Sequence, residues 1–362
     1  MTVTEFHCKN WRNLAETTLR PQAGINVFYG ENAQGKTNLL EALWVCSGAR
    51  SFRGAKEADL IRFDQKAARL DLAFEAGGRS QQLTMQLGAG KQITLNGVEK
   101  KSATDLCETV ATVIFAPNHL GLVKDGPQVR RGFLDFALAR LKPSFAALQE
   151  QYDRALDQRN ALLRDRRAAT MGELLDLWED ALARLGSIYA RQRQIYTQRI
   201  TPFASRFYYE LSGQKETLGL AYDGAEASAD EGGYELLKEQ LRQARETDQR
   251  MGYTTVGPHR HDLLLTINDM PARTFGSQGQ QRSAALALKL AEAEVLAEYS
   301  GEVPVILLDD VMSELDGGRQ DYLLNKFSGR QIFLTCCDPA AIPRLSDGSV
   351  FLVKDGEIHA RA

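Results

Sequence analysis

The sequence predicts an α/β fold that both ends of the chain build together, with a helical segment inserted between them. A strand, a glycine-bounded loop and a helix follow one another at 24–47, and an apolar run ends in two acidic residues at 304–310. Between these segments, from about 121 to 251, apolar residues recur at helical spacing. The two ends carry parts of one chemistry, so we expect a single interrupted domain, 1–120 with 252–362, and an insertion domain, 121–251, rather than two independent terminal domains.

Composition places the 362-residue chain among ordinary globular proteins large enough for about two domains. Its net charge of −3 gives no sign of a nucleic-acid partner, so any such surface has to be a local patch. The N-terminus alternates like a strand and lacks a basic-then-apolar signal, and no apolar run approaches the roughly 20 residues of a membrane helix. The five cysteines form no C-x-x-C pair and no zinc spacing, which predicts reduced thiols in a cytoplasmic protein. They are Cys8, Cys46, Cys107, Cys336 and Cys337.

Residues 30–37 fit the phosphate-binding pattern G-x-x-x-x-G-K-[ST] in full. A turn with glycine at both ends exposes consecutive backbone N–H groups, which phosphate oxygens need as donors. Lys36 is predicted to reach the β- and γ-phosphates, and the Thr37 hydroxyl to be a ligand of Mg²⁺. A short buried strand is predicted at 24–29, and a helix at 38–47 turns its N-terminus to the anion. The nucleotide-contacting residues predicted in this segment are Gly30, Glu31, Asn32, Ala33, Gln34, Gly35, Lys36, Thr37 and Asn38.

Strand patterns dominate the first 115 residues, and Asn96-Gly97 is typical of a hairpin turn. In the middle of the chain apolar residues recur every three or four positions, between 145 and 156 and between 174 and 188, which predicts helices. Pro143, Gly172 and Pro202 are predicted to mark the limits of these helices. The polar stretch 223–233 is predicted to be a loop. Besides 24–29, strands are predicted at 70–75, 81–87, 92–95, 110–115, 263–267, 305–308, 331–335 and 350–354.

The apolar run 304–310 indicates a buried parallel strand with two acids at its carboxyl end, where ligands bind in open α/β sheets. Asp309 is predicted to hold the magnesium ion together with Thr37, directly or through water. Asp310 is placed to orient and deprotonate an attacking water. Such a run alone is more often an ordinary strand end, but beside a phosphate loop it favours a nucleotide site.

Ser277-Gln278-Gly279-Gln280-Gln281-Arg282 precedes an alanine- and leucine-rich helix predicted from 283 to about 297. By itself this segment is a plain helix N-cap. Together with the phosphate loop, the acid strand and Ser313-Glu314-Leu315-Asp316, it resembles the signature motif of the ATP-binding-cassette (ABC) ATPase head. That resemblance implies a mixed sheet with flanking helices, and two heads that sandwich two ATP molecules. It also implies that Ser277, Gly279 and Gln280 contact nucleotide, with Ser277 acting in trans on the γ-phosphate held by the other subunit.

Motifs along nearly the whole chain narrow this likeness to the RecF family of bacterial recombination mediators. The chain is similar to that family at Trp11-Arg12-Asn13-Leu14, Leu39-Leu40-Glu41-Ala42, Arg50-Ser51-Phe52-Arg53, Leu122-Val123-Lys124-Asp125-Gly126-Pro127, Arg130-Arg131-Gly132-Phe133-Leu134-Asp135, Gly257-Pro258-His259-Arg260 and Gly276-Ser277-Gln278-Gly279-Gln280-Gln281-Arg282. The resemblance implies an ATP-dependent homodimer that binds double-stranded DNA and prefers junctions of single- and double-stranded DNA. It further implies work with RecR and RecO to load RecA at gaps, a slow, DNA-stimulated ATP hydrolysis, a place at the nucleoid in the cytoplasm, and contact between Arg12 and nucleotide phosphates.

Some positions depart from the cassette pattern. Asp310 stands where those ATPases usually have a catalytic glutamate, although RecF-like proteins share the aspartate. Thr335-Cys336-Cys337 stands where they carry a switch histidine, and Ala116-Pro117-Asn118-His119 offers no clear glutamine-loop residue. Asn118-His119 and His261 also replace acidic residues expected in RecF. These departures bear on the rate of hydrolysis more than on ATP binding.

Several basic groups could track DNA phosphates, although each alone is better explained as a solvated face. They are Arg50, Arg53 and Lys56, then Lys100 and Lys101, then Arg130 and Arg131. Tyr208 and Tyr209 could stack on bases, but buried helix-end aromatics are the simpler interpretation.

Other proteins that use such a head remain alternatives. A transporter ATPase needs a surface for a membrane domain, and a structural-maintenance-of-chromosomes (SMC) protein needs long heptad segments, whereas this insertion is only about 130 residues without sustained heptads. A related nuclease would need an added acidic metal-binding domain.

Overall fold

The computed structural model of the chain describes residues 1–100, 106, 109–165, 172–224, 230–337 and 348–360. The chain divides into two compact units, one formed by Met1–His119 with Glu292–Ala362 and the other by Leu120–Ala291. The predicted insertion, 121–251, lies wholly within the second unit, which also contains 252–291. The assignment of 252–291 to the ATP-binding domain stays a prediction.

The first unit contains an antiparallel sheet formed by the N-terminal part of the chain. In spatial order its strands are β2 (Leu14–Leu19), β1 (Thr2–Trp11), β4 (Ala68–Ala76), β5 (Arg79–Leu87), β6 (Gln92–Leu95) and β7 (Val98–Glu99). Buried and accessible residues alternate along β4, so one face of the sheet packs on the core. Between β6 and β7 the chain turns at Asn96 and Gly97, whose φ angles of 53° and 78° confirm the predicted hairpin turn.

A mixed sheet in the same unit combines strands from both chain ends. In spatial order they are β15 (Glu357–Ala360), β14 (Ser349–Lys354), β3 (Ile25–Tyr29), β13 (Ile332–Cys336), β12 (Val305–Asp309) and β8 (Thr112–Phe115). All neighbours are parallel except β14 and β15, and every residue of β8, β12 and β13 is buried. The carboxyl ends of β3, β13 and β12 therefore meet at one edge of the sheet, and the predicted α/β class with a mixed sheet is confirmed.

Among the residues that the structure describes, two α-helices lie wholly within the first unit. Helix α1 (Lys36–Val45) starts seven residues after β3 ends, and its face toward the sheet includes the buried Leu39, Leu40 and Leu43. Helix α9 (Gly317–Lys326) is capped by the Asp316 side chain, which accepts from the Arg319 N–H at 3.0 Å.

The second unit is mainly helical, with a small antiparallel sheet. Its helices are α2 (Gly121–Lys124), α3 (Pro127–Leu141), α4 (Pro143–Arg164), α5 (Gly172–Leu211), α6 (Asp230–Met251), α7 (Ala272–Phe275) and α8 (Gln278–Ser300), the last of which continues into the first unit. The sheet has the order β11 (Met270–Pro271), β10 (Asp262–Ile267) and β9 (Leu218–Asp223).

Buried arginines hold the long helices of the second unit together. Arg159 of α4 is fully buried and donates to Glu179 of α5 at 2.9 Å and to Asp248 of α6 at 2.6 Å. Removing one partner of such a buried pair costs about 3–5 kcal/mol, because the remaining charge is left uncompensated. The three helices are thus fixed to one another by charge as well as by apolar packing.

Two predictions about helix limits are wrong. Pro202 lies inside α5, which continues to Leu211, so this proline does not end a helix. Helix α6 begins at Asp230, inside the stretch predicted as a loop, and buries Leu237 and Leu241 although its sequence is mostly polar. Residues 225–229 of that stretch lie outside the described residues. Within the described parts of the chain, no helix is long and apolar enough to cross a membrane.

Candidate nucleotide-binding site

Both glycines of the phosphate loop are required by its geometry. Gly30 has a φ of 152°, and a Cβ there would lie 2.3 Å from the Val353 carbonyl oxygen. Gly35 has a φ of 118°, and a Cβ there would lie 2.9 Å from Asn13 Oδ1. Side chains at either position would clash and would strain the backbone. Glycine at both positions therefore lets the loop form a tight turn against its neighbours, and such a turn presents backbone N–H groups.

Lys36, the first residue of α1, is buried under this loop. Its ammonium donates to the carbonyl oxygens of Gly30 at 2.6 Å and Glu31 at 2.7 Å. Helix α1 has no side-chain cap and no acidic residue in its first turn. Its N-terminal N–H groups and the Lys36 charge thus form a site suited to phosphate oxygens.

Thr37 and Asp309 meet across the site. The Thr37 hydroxyl donates to Asp309 Oδ1 at 2.8 Å, and the Thr335 hydroxyl donates to the same oxygen at 2.9 Å. Burial raises the pKa of Asp309, while these two hydrogen bonds act in the opposite direction. A hydroxyl and a carboxylate are the hard oxygen ligands that Mg²⁺ prefers.

These two oxygens fit a magnesium site of the kind that nucleotide phosphates and water complete. Among the described residues no group of three histidine, cysteine, aspartate or glutamate side chains could hold a metal by itself. The geometry therefore brings Thr37 and Asp309 together as the sequence predicts, and leaves the rest of the coordination to a ligand.

Asp310 follows at the end of β12 in an unusual conformation. Its φ is 51°, and its N–H donates to the Thr335 hydroxyl at 2.9 Å. Its Oδ1 is buried, and no described residue forms a hydrogen bond with it. A buried acceptor without a protein partner is suited to a water molecule.

Arg12 is held by a buried carboxylate. Its guanidinium donates to Glu41 Oε2 at 2.8 Å and Oε1 at 3.0 Å, and to the Asp59 carbonyl at 3.1 Å. Ser51 also donates to Glu41, at 2.5 Å. The predicted contact between Arg12 and phosphate stays a prediction, since the described contacts of this side chain are with protein.

Beside the phosphate loop lies a groove of about 1040 Å³. Side chains form one relay along it: Arg53 donates to Asn38 at 2.8 Å, and Asn38 donates to Asn13 at 2.7 Å. The Phe63 ring is 87% exposed at its wall. The groove is lined by Arg12, Asn13, Ala33, Gln34, Asn38, Arg53, Ala58, Asp59, Ile61, Arg62, Phe63, Asp64, Gln65 and Asp355.

Sequence reasoning missed the wall formed by 58–65. The only signal in the sequence itself is an aromatic residue, Phe63, between the charged residues Arg62 and Asp64. The structure shows that Phe63 is exposed and that Asp64 has a φ of 61°. Two other loop residues contact protein: Gln34 Oε1 accepts from the Asp355 N–H at 2.6 Å, and Asn32 accepts from the Cys337 thiol at 3.3 Å. Their predicted contacts with nucleotide stay predictions.

The predicted signature segment forms the start of α8 in the second unit. The Gln280 side chain accepts from the Ser277 N–H at 2.7 Å, and Ser277 Oγ accepts from the Gln280 N–H at 3.3 Å. Gln280 also donates to Glu216 at 2.7 Å. Ser277 is exposed, so this reciprocal cap presents it to solvent.

The contacts of Arg130 and Tyr208 decide between the alternatives that the sequence leaves open for these two residues. Arg130 is 5% exposed and forms a bidentate ion pair with Asp262 at 2.8 and 2.7 Å, so it cannot track phosphates. Tyr208 is fully buried and donates to Glu216 at 2.8 Å, which confirms its interpretation as a buried helix-end aromatic. Lys101 and Cys107 lie outside the described residues.

Comparisons with known proteins agree on one family. Residues 2–344 match the family described as the RecF/RecN/SMC N terminal domain. The DNA replication and repair protein RecF of Trichlorobacter lovleyi is 37% identical, over 99% of this chain and 98% of its own. RecF of Thermoanaerobacter sp. is 38% identical, over 92% of this chain and 94% of its own.

Solved structures extend this likeness to three dimensions. A structure of the recombination mediator protein RecF with ATP in the RecFOR pathway covers 100% of this chain and 98% of its own, with 35% identity and a TM-score of 0.91. The Smc head bound to the C-winged helix domain of ScpA, at 13% identity and a TM-score of 0.57, shares the fold alone. Since relatives above 30% identity cover it from end to end, the chain belongs to the RecF family of DNA replication and repair proteins, which is built on the ABC- and SMC-type ATPase head.

Proposed function

We propose that this protein binds ATP in the groove and loop around Lys36 and hydrolyses it slowly. The observation that carries the proposal is the convergence of Lys36, Thr37, Asp309 and Asp310 at the edge of the mixed sheet. A RecF relative of the same fold is described with ATP bound, which supports the choice of nucleotide.

Each residue has a role that follows from its position. Lys36 exchanges its two carbonyl partners for β- and γ-phosphate oxygens and balances their charge. Thr37 and Asp309 hold the magnesium ion, which when bound neutralises phosphate charge. Asp310 accepts a proton from the attacking water through its unpartnered carboxylate oxygen.

We further propose that ATP binding joins two copies of the chain, with Ser277 of one copy facing the nucleotide of the other. The dimer binds double-stranded DNA and junctions of single- and double-stranded DNA, in the cytoplasm at the nucleoid. It acts with RecR and RecO in loading RecA, a role suggested by the relatives described as mediators of the RecFOR pathway. A protein of net charge −3 can bind DNA only through a local basic surface, such as one that includes the exposed Arg50, Arg53 and Lys56.

Sedimentation of the full chain tests the proposal. We expect a monomer without nucleotide and a dimer with ATP, which associates with gapped DNA more strongly than with blunt duplex. Affinity for DNA should also fall steeply as salt rises, because phosphate contacts release counterions. Equal DNA affinity with and without ATP would contradict gating, and a flat salt response would contradict phosphate contacts.

A further inference from the structure

Thr335, near the end of β13, touches both acidic residues of the site. It is 1% exposed, and its hydroxyl donates to Asp309 Oδ1 at 2.9 Å while it accepts from the Asp310 N–H at 2.9 Å. Its other polar contact, with the Leu308 carbonyl, is long at 3.5 Å. The sequence drew attention to this position only because no histidine stands there.

Strand pairing explains how one hydroxyl can reach both residues. β12 and β13 are parallel neighbours, and Asp309 and Thr335 are partners in their register. The hydroxyl therefore points sideways to the end of the adjacent strand, where the acids lie.

The contact also sets which carboxylate oxygen remains available on Asp309. Thr37 and Thr335 both donate to Oδ1, and no described residue donates to Oδ2. With two hydrogen bonds on one oxygen, the carboxylate cannot rotate without losing both. The second oxygen is thereby left without a donor among the described residues and can accept a ligand.

Asp310 depends on Thr335 in a different way. Its side-chain Oδ1 has no partner among the described residues, so the direction of its carboxylate is set by the backbone. That backbone has a φ of 51°, a region that residues other than glycine rarely adopt. Two hydrogen bonds hold it there, one from its N–H to the Thr335 hydroxyl and one from the Ser313 hydroxyl to its carbonyl at 2.7 Å.

We propose that Thr335 is a positioning residue for ATP hydrolysis, whose single hydroxyl fixes the Asp309 carboxylate and the Asp310 backbone together. This inference rests on the proposed ATPase function. Thr335 is expected to affect the hydrolytic step, because its hydroxyl contacts the two acidic residues and none of the residues that line the groove.

The test compares Thr335→Val, which removes the hydroxyl and keeps the shape, with Thr335→Ser, which keeps the hydroxyl. Single-turnover ATP hydrolysis and ATP binding are measured on the full chain. We expect Thr335→Val to lower the hydrolysis rate about tenfold or more and to raise the Mg²⁺ concentration needed for half-maximal rate, with ATP affinity within about twofold of the parent. Thr335→Ser should keep at least about half of the parent rate.

Thr112→Val is a matched control. Thr112 lies on β8 of the same sheet, is 3% exposed, and its hydroxyl has no hydrogen-bond partner among the described residues. It pairs with Val305, four residues before Asp309, so the same chemical change is made away from the site. We expect this variant to hydrolyse ATP like the parent.

Each outcome decides between explanations. A Thr335→Val protein as active as Thr112→Val overturns the proposal, and so does an equal loss in Thr335→Val and Thr335→Ser, which would indicate a packing role. Thr335→Ala is measured beside them in case the valine variant does not fold, and the same selective loss is expected. A parent protein that releases no phosphate from ATP would instead overturn the proposed hydrolysis itself, which distinguishes the two failures.

Discussion

Thr37 donates a hydrogen bond to Asp309 over 2.8 Å, although 272 residues of chain separate them. The contact joins the first turn of α1 to the end of β12, and both belong to the unit formed by the two chain ends. Neither end holds the magnesium ligands alone. The site therefore exists only where the N-terminal and C-terminal strands have paired in one sheet.

Replacing Lys36 by alanine is expected to abolish the ATP-dependent dimer. The ammonium would no longer bond phosphate oxygens, and loss of two charge-assisted hydrogen bonds of roughly 1.5 kcal/mol each weakens binding about 100-fold or more. Sedimentation of the variant with ATP measures the effect. Lys91→Ala, which changes a lysine paired with Glu57 at 3.0 Å, is the control and should dimerise normally. An ordinary dimer from Lys36→Ala would remove the role given to that residue.

Replacing Arg12 by alanine is expected to destabilise the fold, whatever its effect on nucleotide. Glu41 is fully buried, and without Arg12 its charge is left with only the Ser51 hydroxyl. A loss of about 3 kcal/mol in the free energy of unfolding is expected, measured by urea denaturation. Adding Glu41→Gln should recover part of it, because the unpaired charge is removed. An Arg12→Ala protein as stable as the parent would show that the ion pair contributes nothing.

The parts of the site that could be predicted are those coded by neighbouring residues. The phosphate loop needs glycine at Gly30 and Gly35 because of its own tight turn, and this pattern is visible in the sequence. The apolar run of β12 stops at Asp309, so the sequence also shows where this strand ends. The groove wall at 58–65 could not be predicted, because it is placed by distant backbone contacts such as Arg12 N–H to the Leu60 carbonyl at 2.8 Å. Arg130 likewise looks like a surface charge until its partner Asp262, 132 residues away, is known.

Replacing Asp310 by asparagine is expected to leave ATP binding intact and to slow hydrolysis about 100-fold. The amide keeps the shape of the side chain but cannot accept a proton from water. A long-lived dimer on DNA should accumulate, visible as slow dissociation after dilution. Asp269→Asn, at an exposed position between β10 and β11 with a φ of 63°, is a control for the same chemical change outside these motifs. If Asp310→Asn turns over ATP at the parent rate, another group must align the water.

Stability is expected to fall below about pH 6.5 because two histidines of the second unit are partly buried. Burial lowers the pKa values of His259 and His261 to about 4. The unfolded chain takes up these protons first, at its ordinary pKa of about 6.5, so their contribution to stability is complete above that pH and is lost as pH falls toward 4. Each histidine should cost about 1.4 kcal/mol per pH unit in that window.

Urea denaturation at several pH values measures this slope. His261→Asn should flatten it by about half, whereas His359→Asn, at an exposed position on β15, should not. The Tyr152 hydroxyl lies 2.7 Å from His259 Nδ1, and it can donate to the neutral ring or accept from the protonated one. A slope unchanged in His261→Asn would show that this ring does not control the acid sensitivity.

The trans action of Ser277 can be tested by mixing two inactive variants. Ser277→Arg places a bulky cation at an exposed helix start and should block closure of the dimer, while each monomer still binds ATP. Lys36→Ala removes the phosphate contact. Each variant alone is expected to be nearly inactive. In a mixed dimer one site carries both lesions, and the other combines an intact Lys36 with an intact Ser277 from the opposite subunit.

Mixing should therefore restore DNA-stimulated phosphate release, with a maximum near equal amounts of the two variants. A site built from one subunit would be damaged in every dimer and could not recover. The control replaces Ser277→Arg by the double variant Lys36→Ala with Ser277→Arg, since that mixture contains no Lys36 and must stay inactive if recovery requires a complementary site. Activity that never rises above the separate variants at any ratio would contradict the trans arrangement, because one intact site in a closed dimer is all that recovery requires.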